Sequence, residues 1–180
     1  MAMNNYLLIM TFNINGLNTP IKLHRIPDWI RKHDPHICCL QETHRRTKDL
    51  HRLKVKGWKQ IFQANGHKKK AGIAILISDK IDFKKRAIKR DPEGHFIIHK
   101  GRIHQEDMNI VNIYASNMVA PKYIKKILED FKKDIDSNTI IVGDFNTPLS
   151  KMDRTSKQNM NNEIVALNNA LDQMDFTVII

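Results

Sequence analysis

The sequence predicts an α/β protein in which a crossover unit is followed by hairpins, and three observations carry that expectation. Apolar runs of strand length recur along the chain, at Tyr6 to Phe12, His36 to Glu42, Ala71 to Ile77 and Thr139 to Val142. They suit strands covered on both faces. A segment with helical spacing separates the first two runs, which gives a βαβ unit. In the middle of the chain the connections Asp91 to Gly94 and Gly101 to Glu106 are too short for a helical crossover, so that part reads as antiparallel hairpins.

Taken in order, the first strand runs from Tyr6 to Phe12 and ends at Asn13-Ile-Asn15-Gly16. Thr19-Pro20 supplies an N-cap and a first-turn proline for a helix to about His33, with Ile26, Trp29 and Ile30 on one side. Pro27 lies inside it, where a missing donor and a ring clash cost roughly 3 kcal/mol, so a kink or a late start is expected there. Asp34-Pro35 breaks the helix, and His36 to Glu42 forms the second strand. A basic stretch from Thr43 to Lys59 and Lys68-Lys-Lys70 precede the strand Ala71 to Ile77. Phe96 to Ile98 is a weaker strand, and Met108 to Tyr114 alternates as a half-buried one does. Pro121 opens a helix whose Ile124, Ile127, Leu128, Phe131 and Ile135 form an apolar stripe. The strand before Asp144 follows, then a helix near Asn161 to Met174 and an apolar strand from Phe176 to Ile180.

With 180 residues and 41% hydrophobic content, the chain reads as one domain, 1–180, able to bury a core without disulfides or structural metal. There is no run of 18 apolar residues and no signal-peptide pattern, so an intracellular protein, nuclear or cytoplasmic, is expected. Adjacent Cys38 and Cys39 would face opposite sides of a strand, which suits a reducing compartment. The net charge of +11 attracts polyanions, and nucleic acid is the natural partner.

Chemistry-bearing residues gather at strand ends. In Val142-Gly143-Asp144-Phe145-Asn146-Thr147-Pro148, glycine frees the backbone and proline stops the strand; if the strand extends through 146, Asp144 and Asn146 point the same way. Asn13 and Asn15 repeat that spacing at the end of the first strand, and Glu42 ends the second. Ligands collect at the carboxyl edge of such sheets, so Asn13 and Glu42 are expected to share a site. The positive charges after Glu42, including His44, Arg45, Arg46 and Lys48, suit a phosphate-bearing substrate. Tyr114 ends a strand as well, with Asn117 three positions on.

The segments Thr11-Phe-Asn-Ile-Asn-Gly-Leu-Asn18, Cys38-Cys-Leu-Gln-Glu-Thr-His44, Lys56-Gly-Trp58, Gln63-Ala-Asn-Gly66, Lys69-Lys-Ala-Gly-Ile-Ala-Ile-Leu76, Val111-Asn-Ile-Tyr-Ala115 and Gly143-Asp-Phe-Asn-Thr-Pro-Leu149 carry a resemblance over nearly the whole chain. It resembles the endonuclease domain of LINE-type (non-LTR) retrotransposon reverse-transcriptase polyproteins, within the exonuclease-endonuclease-phosphatase superfamily. The resemblance implies a four-layered α/β sandwich of the deoxyribonuclease I-like type, with its second sheet incomplete, and hydrolysis of DNA phosphodiesters with Mg²⁺, or Mn²⁺ in its place. Glu42 would hold the metal with help from Asn13, Asp144 would orient or deprotonate water, Asn146 would bind the scissile phosphate, and Tyr114 would hydrogen-bond a phosphate oxygen. Asn15, Asn117, Arg45, Arg46 and Lys48 would contact DNA.

The chain departs from the family's pattern. A later-strand aspartate and a terminal Ser-Asp-His have no counterpart in these 180 residues, and His95, His99 and His104 match no family motif. Ser116 stands where proline is usual. A weak or inactive nuclease is therefore expected, with an apolar sheet face left uncovered and open to self-association. The alternatives are a basic nucleic-acid-binding remnant without catalysis and a phosphoesterase acting on small substrates.

Overall fold

The computed structural model describes residues 6–17, 19–45, 53–66, 71–115, 120–146, 177–179 and the helical positions Val165, Leu167 and Asn169. Strand β1 (Ile9–Asn13), helix α1 (Pro20–His33) and strand β2 (Ile37–Gln41) form the expected crossover, with β1 and β2 parallel. Thr19 Oγ accepts the Lys22 N–H at 3.4 Å, and the left-handed Asp34 closes the other end by donating its N–H to Ile30 O. A cap of this kind stabilises by about 1 kcal/mol. The late start expected at Pro27 does not occur: the helix is continuous from Pro20 to His33. Pro27 is buried beside Ile26 and Ile30, and burial of that apolar face offsets the missing donor.

Strands β3 (Gln60–Ala64) and β4 (Ile73–Ile77) complete a four-stranded sheet of order β1-β2-β4-β3. The second sheet begins with the meander β5 (Phe83–Arg90), β6 (Phe96–Ile103) and β7 (Glu106–Tyr114). Helix α2 (Ala120–Asp130) then carries the chain to β8 (Thr139–Asp144), parallel to β7, and β9 (Thr177–Ile179) pairs parallel with β8, giving the order β5-β6-β7-β8-β9.

Alternation sorts these strands into layers. Ile37, Cys39, Ile73, Ile75 and Ile77 of the first sheet face Ile97, Ile110 and Val142 of the second. The reverse face of the first sheet, with Cys38, Leu40, Ala74 and Leu76, packs on Ile26 and Ile30 of α1. That of the second, with Ile98, Val111, Ile113 and Ile141, packs on Ile124, Ile127 and Leu128 of α2 and on Leu167. The order is thus helix, sheet, sheet, helix: a four-layered sandwich. The two cysteines point to opposite faces, and burial pushes the Cys38 thiol up to about 12.

An uncovered inner face is not what the described residues display, since Ile37, Cys39, Ile73, Ile75 and Ile77 are all fully buried. The exposed large apolar side chains in this part of the fold are instead Tyr6, Leu7, Leu8 and Phe12, in and just before the edge strand β1, where Phe12 stacks on Trp29 at 4.9 Å. The opposite edges, β3 and β5, are stitched across the sandwich: Gln60 Nε2 donates to Phe83 O at 3.2 Å, and Arg90 Nε to Gln63 O at 2.9 Å.

Candidate active site

The carboxyl ends of the parallel pairs β1/β2 and β7/β8 meet at one mouth, so side chains far apart in sequence converge there. Asn13, the last residue of β1, donates through Nδ2 to Glu42 Oε1 at 3.0 Å and to Asp144 Oδ2 at 2.7 Å. Two carboxylates from opposite sheets therefore share one amide nitrogen. Tyr114, the last residue of β7, is the register partner of Asp144. Its hydroxyl is driven up to about 12 by burial, by its hydrogen bond to Glu42 and by the charges of Glu42 and Asp144. At neutral pH it remains a donor. The second oxygen of Glu42, Oε2, lies 3.3 Å from His44 Nε2.

Local backbone geometry makes these ends abrupt. Asn13 Oδ1 accepts the Asn15 N–H at 3.0 Å, and Asp144 Oδ1 accepts the Asn146 N–H at 3.2 Å. Both are side-chain-closed turns, with an asparagine in the left-handed region two positions on (φ 44° and 47°). Glu42 and His44 are left-handed too, at 51° and 52°. Strain of this kind costs of order 1 kcal/mol or more per residue and concentrates where function requires it. Glycines make room for the turn: a Cβ on Gly16 would stand 2.8 Å from His44 Nδ1, and one on Gly72 2.3 Å from Thr43 Oγ.

These turns overturn the shared orientation expected of Asp144 and Asn146. Strand β8 stops at Asp144, the intervening Phe145 is buried against the α2 side, and Asn146 Nδ2 donates to Ala115 O at 2.6 Å. The amide of Asn146 clips the end of β7 to the loop after β8, away from the position the strand geometry would have given it. Asn15, for the same reason, is exposed at the lip.

Arg45, expected to reach a DNA backbone, is only 3% exposed, so it is withdrawn from the surface on which a phosphate contact needs it. Arg46, Lys48, Asn117 and Ser116 lie outside the described residues.

Directly beneath the mouth is a polar layer that motif reading missed. Gln41 Nε2 donates to Asn112 Oδ1 at 2.8 Å, and Asn112 Nδ2 donates to Leu40 O and Ala74 O at 3.2 and 3.0 Å. Thr11 joins it through Gln41 at 2.9 Å. The signal lay in period two: Thr11, Gln41 and Asn112 each precede a mouth residue by one or two positions. His44 was also missed as a partner of Glu42.

The donor set is hard oxygen. Two carboxylates with an amide between them fit a small divalent cation, which takes one or two carboxylates and completes its sphere with water and substrate oxygens. Among the described residues no group of three or more His, Cys, Asp and Glu stands ready to enclose a metal by itself.

A two-sheet α/β sandwich with paired carboxylates, an amide and a protonated phenol at one mouth defines a class of hydrolytic, phosphoester-type folds. The chain belongs to the Endonuclease/Exonuclease/phosphatase family, which it matches over residues 10–174. Its fold is similar to that of an AP endonuclease from Archaeoglobus fulgidus, with a TM-score of 0.67 and 20% identity, over 93% of this chain and 70% of that one. It is similar to the AP endonuclease LMAP from Leishmania major (TM-score 0.65, 13% identity, 93% and 65%) and to TDP2 from C. elegans (0.57, 18%, 85% and 51%). The chain thus spans about half to seven-tenths of the length of these structures.

Proposed function

We propose that this chain is the endonuclease-type domain of a LINE-type retroelement, hydrolysing DNA phosphodiesters with Mg²⁺. The observation that carries the reading is the convergence of Glu42 and Asp144, from opposite sheets, on Asn13 Nδ2. Glu42, with Asn13, would hold the cation, which supplies charge neutralisation at the phosphate. Asp144 accepts from the water that attacks, and Tyr114, kept protonated, donates a hydrogen bond to phosphate oxygen as negative charge develops there.

Supercoiled plasmid incubated with the purified chain and Mg²⁺ tests this. Relaxed circles should appear, vanish with EDTA, and fall at least tenfold with Glu42→Ala and with Asp144→Asn. Nicking that survives both substitutions would sink the reading.

A binding role without catalysis has its own support. β5 presents Lys84, Lys85, Arg86, Lys89 and Arg90 on an exposed edge of a chain with net charge +11. Salt-sensitive gel shifts without nicking would favour it. Self-association belongs to the proposal as well, along β1 with its exposed Phe12 and the exposed Leu8 just before it. Sedimentation that stays monomeric at all concentrations would refute that part.

A further inference from the structure

We propose that His95, oriented by Asp91, is a phosphate-binding residue of this mouth and contacts a phosphodiester next to the one Asp144 and Glu42 address. The inference rests on the nuclease reading above and deepens it. His95, in the turn just before β6, Tyr114 at the end of β7 and Asp144 at the end of β8 lie in one row: Tyr114 pairs in register with Asp144, and on its other side the Tyr114 N–H donates to His95 O at 2.7 Å. Residues directly opposite across a sheet project from the same face. The His95 ring accordingly lies nearly parallel to that of Tyr114, with centroids 6.2 Å apart and planes 11° from each other. With adjacent strands about 4.8 Å apart, His95 stands roughly 10 Å along the rim from Asp144, beyond the group that reacts but within reach of the same DNA strand.

The imidazole is held for a purpose other than closing its turn. The turn from Asp91 to Phe96 is already closed by Asp91 N–H to Phe96 O, by Gly94 N–H to Asp91 O, each 3.0 Å, and by His95 N–H to Asp91 Oδ2 at 2.9 Å. The additional bond, His95 Nδ1 to Asp91 Oδ2 at 3.1 Å, fixes the ring. Tyr123 of α2 adds an edge contact at 5.7 Å. The loop itself is docked on the Glu42 segment: Gly72 N–H donates to Gly94 O at 3.0 Å, and Gly72 O accepts from Thr43 N–H at 2.9 Å. A Cβ on Gly94 would lie 2.7 Å from Gly66 N, so only glycine permits this approach.

With Nδ1 committed to a carboxylate, the remaining ring nitrogen is Nε2, which has no partner among the described residues, on a side chain that is 32% exposed. The protonated ring, its Nδ1 turned to the Asp91 carboxylate, has Nε2–H as its remaining donor, able to make a charge-assisted bond to phosphate. Among the described residues, the ionisable groups that face the ring are Asp91 from its own loop, Tyr114 from β7 and Tyr123 from α2. None of these is a competing cation.

The test is binding of a fluorescein-labelled DNA duplex to the full chain in EDTA, read by anisotropy over a series of salt concentrations. His95→Ala should weaken binding roughly tenfold near 0.1 M salt and flatten the slope of log K against log salt by about one unit. His95→Arg should restore both. His104→Ala, in the exposed turn at the far end of the β6–β7 hairpin, should change neither. Parent-like affinity and slope in His95→Ala, or equal losses in the Ala and Arg variants, overturn the assignment while leaving the nuclease reading intact. A parent chain that binds no DNA at any salt overturns both.

Discussion

Gln41 of β2 donates through Nε2 to Oδ1 of Asn112 on β7 at 2.8 Å, joining the two sheets through their interiors one layer below the candidate site. Both residues are almost fully buried, at 1% and 0% exposure, so the bond is made where water cannot replace it. Asn112→Leu leaves the amide of Gln41 short of a partner and removes donors from Leu40 O and Ala74 O. Such losses cost about 1–3 kcal/mol. Urea unfolding should show a lower midpoint with an unchanged m-value. Adding Gln41→Met should cost less than the two single effects summed, because the orphaned partner is then gone. A fully additive double variant would mean the two amides do not act together.

Asn13 is the neutral bridge between two carboxylates, and its charge is therefore the sensitive property of the mouth. Asn13→Asp replaces the donor with a third carboxylate. Without divalent ions, like-charge repulsion should lower the melting temperature. Excess Mg²⁺ or Mn²⁺ should raise it again by roughly 5 °C, more than it raises the parent. A variant whose melting temperature ignores the cation would show that this gap does not hold one.

Much of the scaffold was legible because alternation and helical spacing report burial directly. The crossover β1-α1-β2, the strands β4, β7 and β8 and the stripe of α2 all follow from apolar periodicity. The edge strands β3 and β5 were not legible. Phe83 to Arg90 gives no strand pattern, because an edge strand protected by lysine and arginine carries little apolar signal. A register shift between Lys85 and Ala87 also breaks its period. At the site, Asn13, Glu42 and Asp144 could be placed from strand ends alone, whereas Tyr114 took its role from the family resemblance. Asn146 could not, since a side-chain-closed turn redirects what an extended strand would have aimed. His95 was hidden in a loop, although an aspartate four residues before a histidine across Pro92-Glu93-Gly94 was the available sign.

Gly143 has a steric role that its position in the Gly-Asp motif conceals. Its φ is 151°, and an added Cβ would stand 1.9 Å from Ile113 O on the neighbouring strand. Close β7–β8 approach is what seats Tyr114 beside Asp144. Gly143→Ala must push the strands apart or distort them, and a loss of roughly 3 kcal/mol or more is expected. Circular dichroism melts should register it, together with loss of any nicking. A variant as stable as the parent would mean that β8 has slack not visible in its register.

His99 sets the pH response of the sandwich. It is fully buried between the rings of Phe62 and Phe83, at 4.1 and 4.8 Å, and neither ring nitrogen has a hydrogen-bond partner among the described residues. Burial, reinforced by the charges of Lys85 and Arg90, lowers it from 6.5 to about 4. The unfolded chain therefore binds a proton that the folded chain refuses between those values. Stability is full above pH 6.5, declines as pH falls toward 4, and levels off below. The separation corresponds to roughly 3 kcal/mol. Urea midpoints measured from pH 7 to pH 4 should fall steeply in the parent and less in His99→Leu, which has nothing to protonate there. If the two fall in parallel, the acid sensitivity resides in other groups, and the stacked imidazole is only a packing element of the β3–β5 edge.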